Sequence, residues 1–348
     1  MIDIAALLKR LIEIPSTSMN ESAKADFLYN ELKNKDCEPN RFKDNLWCMA
    51  YPYDAAKHTI MLNSHIDTVK PNASWTYEPN KATEVDGRIY GLGSNDANAS
   101  VVALIETFLR LKQTKQSYNL ILALSAQEEV SGKDGIECLL NELPKIDFAI
   151  VGEPTGMRLA IAEKGLMVLD CVAHGISGHA ARDEGDNAIY KAMKDVEWFR
   201  TFEFPKISDT LGKVKMSVTI VNAGTQHNVV PDTCSFTVDV RLTDCYSHED
   251  VLSIVRKSVS CDVTPRSMRL RPSGVPLSNF FVKRYLATGG SVFGSSTMSD
   301  QALMPFASVK IGPGDSARSH TADEYIELSE IFKAVDIYYN LLDGLIIM

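Results

Sequence analysis

Four apolar runs in the sequence each end on a residue able to hold a metal ion, and this placement constrains the fold more than any other feature. Thr59–Ser64 leads into His65-Ile66-Asp67, and Asn119–Ser125 leads to Glu128-Glu129. Asp147–Val151 ends at Gly152-Glu153-Pro154-Thr155, and Ala307–Ile311 is followed by a loop reaching His320. Asp96, in Gly91-Leu92-Gly93-Ser94-Asn95-Asp96, stands just before a helical pattern. Short apolar runs separated by helical stretches read as buried parallel strands, and such sheets gather ligands beyond the carboxyl ends of their strands. A set of imidazoles and carboxylates at that edge suits Zn²⁺ or a similar divalent metal.

A chain of 348 residues is long enough for two domains, or for one large domain carrying an insertion. The formal charge of −9 leaves no basic stripe for nucleic acid. No apolar run has the length of a membrane span, and the first residues read as an amphipathic helix instead of a signal peptide, so a cytoplasmic protein is expected. The 7 cysteines are scattered without close pairs in sequence, which disfavours a thiolate zinc site or a disulfide framework.

Ile4, Leu7, Leu8, Leu11 and Ile12 recur at helical spacing until Pro15, and a second helix follows with Ser18 or Asn20 as its cap. Strands at Asn45–Ala50 and Thr59–Asn63 and a helix after Asp96 continue a βαβ alternation through Glu153. The pattern changes after Gly165. Leu166–Ala173, Lys215–Val221 and Ser235–Leu242 read as strands with one polar face, and Asn187–Phe199 and Ser247–Ser258 as helices. Beyond this module Val292-Phe293 and Ser308–Ile311 read as strands and Leu328–Leu342 as a closing helix. If the five candidate ligands converge, the chain has to leave the metal-binding domain after Glu153 and return to it before His320.

Taken in order, Ser64-His65-Ile66-Asp67-Thr68-Val69, Gly91–Asp96, Gln127-Glu128-Glu129, Gly152-Glu153-Pro154-Thr155 and Ser319-His320-Thr321-Ala322-Asp323-Glu324-Tyr325 resemble the binuclear-zinc deacylases and exopeptidases, a family including acetylornithine deacetylase, succinyl-diaminopimelate desuccinylase and aminoacylase. The resemblance covers nearly the whole chain. It implies an α/β, zinc-peptidase-like catalytic domain with a mostly parallel mixed sheet, formed by residues 1–163 and 273–348. An α+β lid and dimerisation domain, with an antiparallel sheet and two helices, would be inserted at 164–272. It further implies two divalent metal ions, zinc first and cobalt or manganese as alternatives. Asp96 would bridge them, His65 and Glu153 would complete one, and Glu129 and His320 the other. Glu128 would be the general base and Asp67 would orient His65. Physical chemistry agrees: a ligating histidine needs its second nitrogen fixed, and adjacent glutamates are reasonable beside a cation.

Many relatives follow the bridging aspartate with Met-Lys-Gly-Gly, whereas this chain has Ala97-Asn98-Ala99-Ser100. The resemblance also implies a cis peptide at Asp96–Ala97. In the inserted module, Gly175–Ala181 resembles a lid motif whose histidine, His179 here, stabilises the oxyanion from the partner subunit of a dimer. Gly224–Asp232 resembles a substrate-carboxylate loop with Asn228 at the matching position. Arg241 suits a carboxylate, Gly312 belongs to a loop that lets backbone approach the substrate, and Arg318 stands near His320.

Each residue also has a plainer reading. His65 alone reads as a structural strand-end histidine, Glu128-Glu129 as a solvated helix start, Asp96 as a helix cap, His179 as a surface histidine, and Arg241 as the partner of Asp239 or Asp244. The combination favours a metal-dependent hydrolase that removes an acetyl or succinyl group from a small amino acid such as ornithine or citrulline, in arginine biosynthesis. A metallo-dipeptidase or exopeptidase, or a desuccinylase of diaminopimelate type, is the alternative.

Overall fold

A computed structural model describes residues 1–347. The chain divides into two compact units, one formed by Met1–Ile161, Gly274–Phe293 and Ser299–Met348, the other by Ala162–Ser273 and Gly294–Met298. The first unit opens with α1 (Ile4–Glu13), α2 (Ser22–Lys33), β1 (Asn40–Phe42), β2 (Asn45–Met49), β3 (Thr59–His65), β4 (Thr83–Val85) and β5 (Arg88–Tyr90). It continues with α3 (Ala99–Leu111), β6 (Asn119–Ser125), α4 (Ile136–Leu139), β7 (Phe148–Val151) and β8 (Leu159–Glu163). The second unit supplies β9 (Gly165–His174), β10 (Gly178–His179), α5 (Ala188–Thr201), β11 (Lys215–Ala223), β12 (Val229–Val230), β13 (Thr233–Leu242), α6 (His248–Ser258) and β14 (Asp262–Pro265). The chain returns through β15 (Ser273–Gly274), α7 (Phe280–Ala287), β16 (Val292–Ser295), β17 (Ala307–Lys310), β18 (Tyr325–Glu327) and α8 (Leu328–Leu342).

The sheet of the first unit runs β1-β2-β6-β3-β7-β17-β8. β6, β3, β7 and β17 are mutually parallel in that order, while β2 lies antiparallel to β6 and β8 to β17. β3 and β6 are buried along their whole lengths, as strands covered on both faces must be. Leu8, Leu11, Val101, Leu104, Phe108, Tyr338 and Leu342 join them in one apolar core. Because four strands run the same way, the segments after His65, Ser125, Val151 and Lys310 all emerge at one edge.

Two local expectations fail here. The second helix starts at Ser22 with Glu21 before it and no side-chain cap, so neither Ser18 nor Asn20 caps it. The Ser18 hydroxyl donates instead to Asp67 Oδ2 at 2.7 Å. Nor is Asp96 a helix cap: it has φ −121° and ψ 94° in the turn Ser94–Asn98, ahead of α3. A small sheet, β18-β5-β4, escapes the sequence pattern because its strands are three residues long and largely polar.

The second unit is the antiparallel sheet β11-β13-β9-β14 with α5 and α6. β9 alternates buried and half-buried residues, and Met167, Leu169, Cys171, Val238 and Val240 meet Ala192, Phe199, Val251 and Val255 in a separate core. Ser247 caps α6 reciprocally with Asp250, a capping box.

Candidate metal centre

Each candidate ligand reaches the shared sheet edge by its own local device. His65 is the last residue of β3 and is buried. Its Nδ1 lies 3.1 Å from the backbone oxygen of Asp67 and donates there, which turns Nε2 toward Asp96 Oδ1 at 3.1 Å and Glu153 Oε1 at 3.7 Å. The Asp67 carboxylate is farther, at 3.5 Å, so its backbone oxygen fixes the ring more closely than its side chain does. The carboxylate has other work. It accepts from the amides of Glu128 (3.0 Å) and Glu129 (3.1 Å), pinning the turn Glu128–Val130 that follows β6.

Asp96 faces both histidines, with Oδ1 toward His65 and Oδ2 3.8 Å from His320 Nε2. His320 Nε2 lies 2.9 Å from Glu129 Oε2. The Asp96–Ala97 peptide is cis. Gly93, at φ 72°, starts the Asp96 turn, and a Cβ there would come within 2.5 Å of the Thr68 methyl. Ligand atoms of His65, Asp96 and Glu129 lie within 4.8 Å of one another, as do those of His65, Glu128 and Glu153.

The electrostatics ask for cations. Burial, then repulsion from Asp96, pushes Glu153 up to about 8. Burial, followed by repulsion from Glu153, Asp300 and Glu129, holds Glu128 well above the usual carboxylate range, although His65 opposes this. Burial opposes a charge on His65, yet its bonds to Asp67 and Asp96 raise it well above an ordinary imidazole. His320 is raised to about 9, chiefly by its bond to Glu129. Glu129 Oε1 is buried with no hydrogen-bond partner. An unpartnered buried carboxylate oxygen among histidine and carboxylate donors fits a divalent metal with N and O ligands.

The family model for peptidase family M20/M25/M40 matches residues 61–344. The chain belongs to that family. A probable succinyl-diaminopimelate desuccinylase of Staphylococcus aureus strain MSSA476 is 25% identical over 394 aligned positions, covering 95% of each chain. The aminopeptidase PepT of Bacillus cereus has the same fold, with a TM-score of 0.80 at 18% identity over 98% of each chain. The YXEP protein of Bacillus subtilis, described as a dinuclear metal-binding M20 peptidase, gives 0.73 at 14% identity over 98% of each chain. This M20-family chain is thus a hydrolase of amide bonds, and the resemblance read from its motifs agrees with the family model.

The remaining candidate residues divide. In the second unit β10 pairs with β12, setting His179 opposite Val229, and Ala180 N donates to the Asn228 backbone oxygen at 3.0 Å. His179 and Asn228 are therefore exposed neighbours. His179 Nδ1 accepts from Ala181 N at 3.1 Å, which leaves the proton of the neutral ring on Nε2 as a free donor. Arg241 lies on β13, where its Nε and Nη2 donate to Asp239 at 2.8 and 3.0 Å, the ion pair of its plainer reading. Arg318 donates to Glu330 at 2.7 Å and stacks on Tyr325, so it braces its loop. At Gly312 a Cβ would meet the Glu153 backbone oxygen at 2.5 Å, so its bareness seats the Glu153 peptide.

Supporting residues went unread in the sequence. Asp300 is buried, accepts from the Ser125 hydroxyl, and is raised to about 6, first by burial. Lys24 is 1% exposed and donates to Asn98 Oδ1 at 3.2 Å, bringing an ammonium from α2 to the turn whose own motif lacks a lysine. Burial lowers it to about 7 against the pull of Asp67, Glu324 and Glu21. Glu324 stood inside a quoted motif without a role, because nothing in a sequence tells which backbone amides a carboxylate will receive.

Proposed function

We propose that the protein hydrolyses the amide of an N-acyl amino acid, using two divalent metal ions held by His65, Asp96, Glu129, Glu153 and His320. The observation carrying this reading is the Asp96 carboxylate, whose two oxygens face His65 and His320 separately. Zinc is the first choice for the ions, with cobalt and manganese as alternatives. Bound there, they would supply a water of lowered pKa and polarise the scissile carbonyl. Glu128 would take the proton of that water and return it to the leaving amine. Its position beside His65 and Glu153 and its raised affinity for a proton support the assignment. Asp67 fixes His65 and the Glu128-Glu129 turn together.

Residues 164–272 would act as lid and dimerisation domain, with His179 donating Nε2–H to the oxyanion of the partner subunit's site and Asn228 receiving the substrate carboxylate. The adjacency of these two residues supports a shared role. The motifs around Gly312 and His320 favour ornithine or citrulline bearing an acetyl or succinyl group, hence arginine biosynthesis in the cytoplasm. No helix among the described residues is long and apolar enough to cross a membrane. A screen of metal-reconstituted protein on N-acetyl and N-succinyl ornithine and citrulline, beside a dipeptide panel, tests the reading. Turnover of an acyl amino acid is expected; cleavage of dipeptides alone would turn the assignment to a peptidase.

A further inference from the structure

Asp96 is the one candidate ligand that faces both histidines, so whatever fixes its backbone acts on both metals. Its turn lies on no regular element, since the φ and ψ of Asp96 and Ala97 are non-helical and α3 starts only at Ala99. A loop of this kind places a side chain well only if its amides are tied. The ties converge on one side chain. Glu324 Oε2 accepts from Gly93 N at 2.9 Å, and Oε1 accepts from both Asn95 N and Asp96 N at 2.8 Å. Glu324 is 2% exposed. It is delivered by the ladder of β18 on β5, which its own backbone extends by accepting from Gly91 N at 3.0 Å. A carboxylate suits this place because all of its hydrogen-bonding capacity accepts, whereas an amide would turn an NH₂ toward amide N–H groups.

We infer that Glu324 is a positioning residue for both metal ions: it never touches them, but its cradle of three amides holds the bridging Asp96 in register with His65 and His320. This rests on the reading of Asp96 as a bridge. Glu324→Gln keeps the size of the side chain and breaks the cradle. Partners behind metal ligands are typically worth about 10–100-fold in metal affinity. The full-length protein should therefore be stripped with a chelator and titrated with Zn²⁺ alone against a chromophoric competitor. In Glu324→Gln both equivalents should weaken by about tenfold or more, while Glu153→Gln, removing a ligand of one ion, should weaken one equivalent much more than the other. A Glu324→Gln protein that binds two equivalents with wild-type affinity, or loses only one, overturns the inference. A wild-type protein that takes up no zinc overturns the metal reading and this inference with it. Should Glu324→Gln fail to fold, amide hydrogen exchange in the metal-free wild type decides: Gly93, Asn95 and Asp96 should be protected, and exchange at the rate of open loop amides overturns the cradle.

Discussion

The two units place their candidate functional residues in opposite ways. In the first unit, charged and hydrogen-bonding groups are buried where the parallel strands end, and they are tied to backbone: Asp67 to two amides of the glutamate turn, Glu324 to three of the Asp96 turn, Glu21 to Gln127 N. In the second unit the candidate residues are not built in this way: buried Asp195 receives the amides of Ser260 and Cys261, but His179 and Asn228 stand exposed on a two-residue ladder. Burying a polar group costs free energy unless it is satisfied, so the first arrangement is over-determined and persists only if nearly every partner is present. The second costs little and holds little. The first unit thus gathers all the proposed metal ligands and the proposed base, whereas His179 and Asn228 stand in the other unit.

That contrast can be broken by experiment. The largest effect should come from Glu128→Gln, which is expected to keep its metal and lose about 10²–10⁴-fold in kcat, measured by elemental analysis beside steady-state rates. Loss of both metals in this variant would make Glu128 a ligand. Next, His65→Ala and His320→Ala should each weaken the ion that the residue completes. Two full equivalents in His65→Ala would remove it from the set. If the exposed unit serves a neighbouring subunit, mixing inactive Glu128→Gln and His179→Ala proteins should regenerate about a quarter of wild-type sites on statistical subunit exchange. Exchange without recovered activity would confine His179 to its own subunit or to no role.

A smaller effect concerns acidity. Glu153 is raised from 4.5 to about 8 in the fold, chiefly by burial, so the metal-free folded state holds a proton that the unfolded chain releases. Its stability should fall as pH rises between those values, and His320, raised to about 9, acts in the same direction above its ordinary 6.5. Zinc should therefore raise the melting temperature more at about pH 8 than at about pH 5.5, and an equal rise at both would count against burdened carboxylates in the first unit. Smallest of all, Arg241→Ala should leave KM unchanged and stability within about 1 kcal/mol, as its partly exposed pair with Asp239 predicts. A raised KM would return Arg241 to the substrate.

The sequence was most legible where chemistry and strand pattern coincide. His65, Glu128-Glu129, Glu153 and His320 follow apolar runs, and the parallel sheet brings all of those ends to one edge. α5, α6 and α8 were legible for a similar reason, since periodicity and caps are local signals. What could not be read was tertiary partnership. Ser18 resembles a cap but serves Asp67 across 49 positions, and Asn98 meets the ammonium of Lys24 across 74. Arg241 and Arg318 have the chemistry for a substrate, and only the structure shows that they pair with Asp239 and Glu330. Gly312 signalled a close approach, and the structure shows one to the Glu153 backbone.

The order of the proposed ligands along the chain has a consequence in time. His65, Asp96, Glu129 and Glu153 all precede the second unit, and His320 follows it. A growing polypeptide therefore carries one imidazole and three carboxylates of the set through the whole synthesis of residues 162–273, before the last ligand exists. Strand β17, which pairs beside β7 and leads to His320, is also made only then. Closing such a distant contact comes late because its loop entropy must be met first. On the proposed assignment, firm capture of the second ion would mark the moment when the two separated parts of the first unit have joined.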